Sequence, residues 1–314
     1  MVEALPNRVV YGRVLAELGN EEPRVVVLDA DVSKGTFTSY FHERFPERFF
    51  NIGVAEQNMM SVAAGLAAAG KIPFACTFAV FAAMRACDQV RTSIAYPRLN
   101  VKIVAANAGV ENMADGVTHQ GIEDMAIMRA IPNMMVLSPS DNVITRLATR
   151  AIAAHVGPVY MRLGRHAGRM VHQASVGFQL GKMIRLREGN DVAVIATGNQ
   201  VEQALDAAEE LAAGGIQARV LDCHTVKPID VDEIIRAGRE TRGIVTAEDH
   251  SIIGGLGSAV CEVLAEHAPS PVRRVGLCDV FASSGRDHKK LLSHFHIDAR
   301  EIVHRAQELM RGEY

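Results

Sequence analysis

The chain has no tryptophan, and aromatic residues of all kinds make up only 5 % of its 314 positions. It also lacks any long run of one charge sign, and its formal net charge is −3. Neither nucleic acid nor a membrane surface is therefore expected as a partner on electrostatic grounds. No C-x-x-C pair occurs among its five cysteines, Cys76, Cys87, Cys223, Cys261 and Cys278, which are odd in number and lie mostly in apolar segments. That usage suits the reduced thiols of a cytoplasmic protein. Cys223-His224 is the one pair suggestive of a metal, but strand neighbours point to opposite faces, so a buried Cys beside a partly exposed His is expected. No apolar run approaches a membrane span, and the N-terminus has no basic head followed by an apolar core, so a soluble, untargeted protein is expected.

What is present is a globular composition, 48 % hydrophobic and 22 % charged. Those proportions exclude disordered and fibrous classes, and the length allows two domains with a core each. Continuous apolar runs at Arg24 to Leu28, Ile72 to Thr77, Val101 to Ala106 and Pro158 to Leu163 read as parallel strands covered on both faces. Between them lie helical patterns, including Asn7 to Leu18, Ala79 to Ile94, Ile122 to Ala130 and Asp141 to His155, the last with Pro139-Ser140-Asp141 as turn and cap. Strands alternating with helices imply an α/β fold with right-handed crossovers. From Gly164 to Asn190 the pattern breaks into a basic, glycine-containing stretch, and a second α/β unit follows it. Two doubly wound domains are expected, 1–170 and 191–314, with a linker over 171–190.

The stretch Phe49-Phe50-Asn51-Ile52-Gly53-Val54-Ala55-Glu56-Gln57-Asn58-Met59-Met60 stands out. It places one carboxylate, Glu56, between a short apolar strand and a helix, Asn58 to Ala69, apolar on nearly every face. Such a helix is expected to be buried. The N-terminal end of a helix favours an anion, while apolar surroundings oppose burying one. Taken alone, Glu56 reads as an N-terminal capping acid.

Together with Thr77-Phe78-Ala79-Val80-Phe81, the segment Gly53-Val54-Ala55-Glu56-Gln57-Asn58-Met59 resembles the pyrimidine-binding domain of thiamine-diphosphate enzymes of the transketolase group. The resemblance extends over essentially the whole chain and continues into a transketolase C-terminal domain with a mostly parallel sheet. It implies that Glu56 bonds the far nitrogen of the cofactor's aminopyrimidine and makes that ring act as a base. It implies that Phe81, with Phe78 one helical turn before it, forms the aromatic platform under the pyrimidine. Ala114-Asp115-Gly116-Val117-Thr118-His119-Gln120 resembles the D-G-x-T-H-Q segment of transketolases and deoxyxylulose-phosphate synthases, which implies that Asp115 and His119 face substrate hydroxyls, with His119 able to move a proton. By the same resemblance Arg162 binds the distal phosphate of a sugar, for which a guanidinium fork is suited.

Two departures from the pattern concern the substrate. Asn107 stands where transketolases usually place a histidine, and Gly35, with Ser33 and Lys34 nearby, stands where they often carry a phosphate-binding serine. An unusual ketose or a different distal acidic group is expected from these changes, with Asn107 and Ser33 as further substrate contacts. The G-D-G motif with a later Asn, which holds the diphosphate through Mg2+, is missing, so no metal ligands are expected in this chain. Gly254-Gly255-Leu256-Gly257 reads as a turn before a helix and not as a phosphate cradle.

The expected protein is thus the C-terminal subunit of a split transketolase, moving a two-carbon ketol unit with a separate N-terminal subunit in an α2β2 assembly. A deoxyxylulose-phosphate synthase relative, a 2-oxo acid dehydrogenase β-like subunit and a non-catalytic regulatory α/β protein are the alternatives the residues leave open.

Overall fold

The structure is a computed structural model that describes residues 4–313, so the outermost residues of both expected domains lie outside the description. Among the described residues twelve strands form two sheets. The first contains β1 (Val25–Asp29), β2 (Phe49–Asn51), β3 (Ile72–Phe78), β4 (Lys102–Ala106), β5 (Met135–Leu137) and β6 (Val159–Leu163). The second is built from β7 (Ile184–Arg187), β8 (Val192–Ala196), β9 (Ala218–Asp222), β11 (Ile244–Ser251) and β12 (Val272–Leu277). A short strand from the second half of the chain, β10 (Thr225–Lys227), joins the edge of the first sheet, so its order is β10-β5-β6-β4-β3-β1-β2.

The apolar runs form strands because each sheet is covered twice. Val25 and Val27 of β1 face a core shared with Tyr11, Leu15 and Phe41, whereas Val26 and Leu28 face one shared with Met59, Met60 and Val90. The second sheet divides in the same way, with Val194 and Val245 on one side and Ile195 and Ile244 on the other. Period-2 alternation with both faces buried is why these strands read as unbroken hydrophobic segments. All pairings are parallel except those of the two edge strands, β7 on β9 and β10 on β5.

β1 lies between β2 and β3. The chain leaves β1 to one side and returns over it to the other, which makes the carboxyl ends of β1 and β3 a topological switch point. Open α/β sheets bind ligands at such a place.

Several expectations are corrected. The stretch 171–190 is not wholly a linker, because β7, Ile184–Arg187, lies within it and pairs antiparallel with β9 at the edge of the second sheet. The expected helix over Ala79 to Ile94 is interrupted: wide π turns at Phe81–Arg85 and Val90–Ala95 flank Cys87–Gln89. The helix after β2 spans Glu56–Ala68 and buries only Glu56, Met59, Met60, Ala63 and Ala64, leaving its opposite, largely small-residue face open. His224 is fully buried and stacked on Phe178, not partly exposed, because the chain there crosses between the two sheets and is covered by both. Burial holds its imidazole at a pKa of about 4.

Candidate active site

Four segments converge at the switch point. The loop after β1 is shaped by Asp29, whose buried carboxylate accepts from the hydroxyls of Thr36 and Thr38 (both 2.8 Å) and from the Val32 amide (2.6 Å). Burial nonetheless raises the pKa of Asp29 above the usual carboxylate value. Arg8 of the first helix donates to the Gly35 carbonyl at 2.7 Å and lies over the Phe37 ring, which fixes the far side of the loop. This loop and the end of β3 enclose a cavity of about 290 Å³ lined by Asp31, Val32, Ser33, Lys34, Gly35 and Phe78. Ser33 and Phe78 therefore share one pocket. A side chain at Gly35 would meet the Phe78 ring at 3.2 Å, so glycine keeps the aromatic wall accessible.

The second segment carries Glu56. Gly53 adopts a positive φ of 76°, which glycine supplies without strain, and the turn delivers Glu56 as the first helical residue. Its side chain makes no capping bond. Instead the carboxylate, only 2 % exposed, pairs with Arg85 Nη1 at 2.9 Å and accepts from the Thr77 hydroxyl at 3.4 Å.

The third segment runs from β3 into the first π turn. Phe78 is the last residue of β3 and Phe81 the first of the turn, so the two are not successive residues on one helix face as expected. Their centroids are nevertheless 6.2 Å apart, and both rings are only partly covered. The wide i→i+5 turn, a form common at functional sites, brings Arg85 back over Phe81 with its guanidinium carbon 4.2 Å from the ring centroid. Sequence reasoning missed Arg85. The available signal was a cation four residues after Phe81 inside an otherwise apolar segment.

The fourth segment is the loop after β4. Asn107 ends it at the strand side with a φ of 58°, a left-handed conformation that asparagine tolerates well, and its buried Oδ1 lacks a hydrogen-bond partner. His119 closes the loop against the aromatic pair, edge-on to Phe81 at 5.2 Å and to Phe78 at 6.4 Å. Its Nδ1 meets the Thr118 hydroxyl at 2.8 Å. Asp115 is exposed nearby in sequence. The loop is held by the second domain: Gln120 Nε2 donates to the Ser283 carbonyl at 3.1 Å, and the Gly285 amide donates to the Met113 carbonyl at 3.0 Å.

Arg162 is not placed as an anion anchor. At the end of β6 its side chain is 4 % exposed and forms an ion pair with Asp124 at 3.0 Å. Its terminal nitrogens donate to the carbonyls of Gly121 (3.0 Å) and Asp249 (3.2 Å). Asp124 also accepts from the Tyr160 hydroxyl at 2.6 Å. Through its terminal nitrogens Arg162 ties the first domain to β11 of the second, while its buried Nε–H makes no hydrogen bond. Beside it, Glu111, Asp249 and His288 bring one potential ligand atom each within 4.8 Å of one another. The two carboxylates are already occupied: Asn199 donates to both, the Val110 amide to Asp249, and the Arg165 and His166 amides to Glu111. The Gly254–Gly257 turn is likewise filled from within, since the Leu256 and Gly257 amides donate to the buried Glu248 carboxylate at 2.7 and 2.8 Å.

A doubly wound α/β protein with a buried carboxylate, two half-open aromatic rings and a histidine at its switch point has the groups a planar heteroaromatic cofactor requires. Comparison with known proteins gives the class. Residues 3–170 match the transketolase pyrimidine-binding domain and residues 181–302 the transketolase C-terminal domain. The chain belongs to the transketolase family, whose membership implies dependence on thiamine diphosphate. It is 47 % identical over 303 residues to the 6-deoxy-6-sulfo-D-fructose transketolase subunit of a Clostridium species, covering 96 % of this chain and 94 % of the relative. It is 37 % identical to an apulose-4-phosphate transketolase subunit of Phocaeicola vulgatus, covering 97 % of both chains. A solved split-gene transketolase, described as an inactive β4 tetramer, is 50 % identical, covers 99 % of this chain and 100 % of its own, and superposes with a TM-score of 0.91.

Proposed function

We propose that this chain is the C-terminal subunit of a two-subunit transketolase that moves a two-carbon ketol unit from a ketose donor to an aldose acceptor. The observation that carries the reading is the convergence of Glu56, Phe78, Phe81 and His119 at the switch point of a transketolase pyrimidine-binding fold. When bound, thiamine diphosphate supplies the nucleophilic thiazolium carbon that takes up and releases the ketol unit.

Glu56 bonds the distal ring nitrogen of the aminopyrimidine and holds the proton there, at a carboxylate shielded from water. Phe78 and Phe81 are its stacking platform, where offset contact contributes about 0.5–1.5 kcal/mol beyond area burial and fixes the ring's position. His119, held against Phe81, donates to or accepts from the reacting hydroxyls, and Asp115 accepts from a neighbouring one. Asn107 and Ser33 contact the substrate further out. We leave Arg162 out of this set, because it pairs with Asp124 and its terminal nitrogens donate to two carbonyls.

A separate N-terminal subunit supplies the diphosphate site and the Mg2+ ligands, in an α2β2 assembly. Two relatives named as transketolase subunits support this, since each matches the present chain over nearly its whole length. The exposed Val54, Met84 and Tyr96 supply apolar surface for such contacts, and the open face of the Glu56–Ala68 helix, with Ser61, Gly65 and Ala68, permits close approach. The donor is a ketose with an unusual distal group. Asn107 and Gly35 motivate that choice, as do relatives named for a sulfo-sugar and for apulose 4-phosphate. Five free cysteines accord with a reducing, cytoplasmic setting, and among the described residues no helix is long and apolar enough to cross a membrane.

The test is calorimetric titration of thiamine diphosphate with Mg2+ into this chain alone and into its complex with an N-terminal subunit. The result expected is tight binding only in the complex, accompanied by ketol transfer. Tight binding by the chain alone, or none in the complex, would overturn the reading.

A further inference from the structure

Arg85 makes the two contacts that the proposed function assigns to the cofactor's aminopyrimidine. Its Nη1 pairs with Glu56 at 2.9 Å, and its guanidinium carbon lies 4.2 Å from the Phe81 centroid. A guanidinium and an aminopyrimidine have the same outline at this scale, since each is flat, stacks on an aromatic face and presents N–H groups at its edge. Arg85 occupies the open side of Glu56. One carboxylate oxygen faces Arg85, the other accepts from Thr77 at 3.4 Å, and the side chain is otherwise almost fully enclosed.

We infer that Arg85 holds the position on Glu56 and Phe81 that the aminopyrimidine takes, and that binding of thiamine diphosphate is an exchange in which Arg85 gives up both contacts. The inference rests on the transketolase reading.

The arrangement meets a need of the buried carboxylate. A buried carboxylate with no partner is strongly unfavourable, so Glu56 needs a counter-charge. That counter-charge must also be removable. Arg85 meets both needs because its own side chain is 45 % exposed in this chain while that of Glu56 is 2 % exposed. A fully enclosed arginine such as Arg162 lacks this way out. The exchange also withdraws the cation from Glu56 as the ring arrives, so the carboxylate then faces the ring nitrogen and not a guanidinium, and the proton between them comes from solvent. The consequence for affinity is a handicap: the fraction of molecules with Arg85 displaced sets the apparent dissociation constant.

The test compares thiamine diphosphate and Mg2+ binding by calorimetry in the two-subunit complex carrying wild-type chain, Arg85→Ala or Arg85→Lys, with thermal unfolding as a folding control. Arg85→Ala is expected to tighten binding about five- to tenfold, the scale of a half-exposed ion pair with a stacked cation, and Arg85→Lys by less. A second measurement needs no variant: arginine-selective dicarbonyl labelling of Arg85, read by mass spectrometry, is expected to increase when thiamine diphosphate is added to the wild-type complex. Weaker or unchanged binding in a folded Arg85→Ala complex, or labelling that stays level or falls, overturns the exchange while leaving the transketolase reading in place. Absence of binding to the wild-type complex removes both.

Discussion

His119 meets the Phe81 ring edge-on, with centroids 5.2 Å apart and planes at 77°. The two residues come from different crossovers of the first sheet, and the contact places a proton-carrying side chain at the rim of the aromatic platform. Because His119 is held by packing and by Thr118, and the loop by the second domain, replacing it should leave the fold intact. His119→Asn is expected to lower kcat about a hundredfold, the usual scale of one general acid–base group, with little change in Tm. Steady-state kinetics of the two-subunit complex, beside a melting curve, decides this; an unchanged kcat would remove His119 from the chemistry.

Glu56→Gln tests the carboxyl directly. The amide retains hydrogen-bonding capacity but cannot hold the proton, so ketol transfer should fall by roughly two to four orders of magnitude while thiamine diphosphate still binds. Activity assays paired with calorimetry separate the two effects. Loss of binding without a catalytic defect in the bound fraction would mean Glu56 serves only the cofactor's attachment.

Arg162 and Asp124 form a buried pair at 3.0 Å, which makes Arg162→Met a stability variant. Leaving Asp124 uncompensated should cost about 3–5 kcal/mol, read as a large drop in the unfolding midpoint. An anion anchor would behave differently, raising KM for the substrate with the midpoint preserved, and that result would restore Arg162 to the substrate site.

Glu248 sets a pH dependence. Burial raises its pKa from 4.5 to about 7, against the opposing effect of the Leu256 and Gly257 amides. A carboxyl whose folded pKa is raised keeps more protons folded than unfolded in that interval, so its contribution is fully present below pH 4.5 and is lost as the pH rises through about 7. Glu248→Gln, which stays neutral, should gain stability relative to wild type between pH 5 and pH 8, on the order of 3 kcal/mol. Chemical denaturation of both proteins at the two pH values checks the sign; a gap that narrows toward pH 8 would mean the carboxylate is well solvated.

Much of this protein was legible in the sequence alone. Strands buried on both faces leave continuous apolar runs such as Val25 to Leu28, and the segment around Glu56 is specific enough to resemble one cofactor-binding domain. The boundaries that failed are those set by neighbours distant in sequence. Nothing local in Thr225 to Lys227 says that it leaves its own domain to pair with β5, and nothing local in Ile184 to Arg187 says that it finds β9. Edge strands are short and half-covered, so they lack the hydrophobic signature of central ones.

The same division holds at the site. Residue types and their spacing determined the chemistry available: a carboxylate at a helix start, phenylalanines after β3, a histidine in the loop after β4. Which of these groups meet was decided by tertiary structure alone. Arg162 has the guanidinium an anion site needs, but Gly121 and, from the second domain, Asp249 supply carbonyls to its terminal nitrogens and Asp124 places a charge beside it. Arg85 looked like one cation in an apolar segment, and only the wide turn after β3 lays it across Phe81 and onto Glu56. The reason is physical: hydrogen-bonding and charge capacity belong to a residue, but what satisfies that capacity is set by whatever the fold brings within about 3 Å of it.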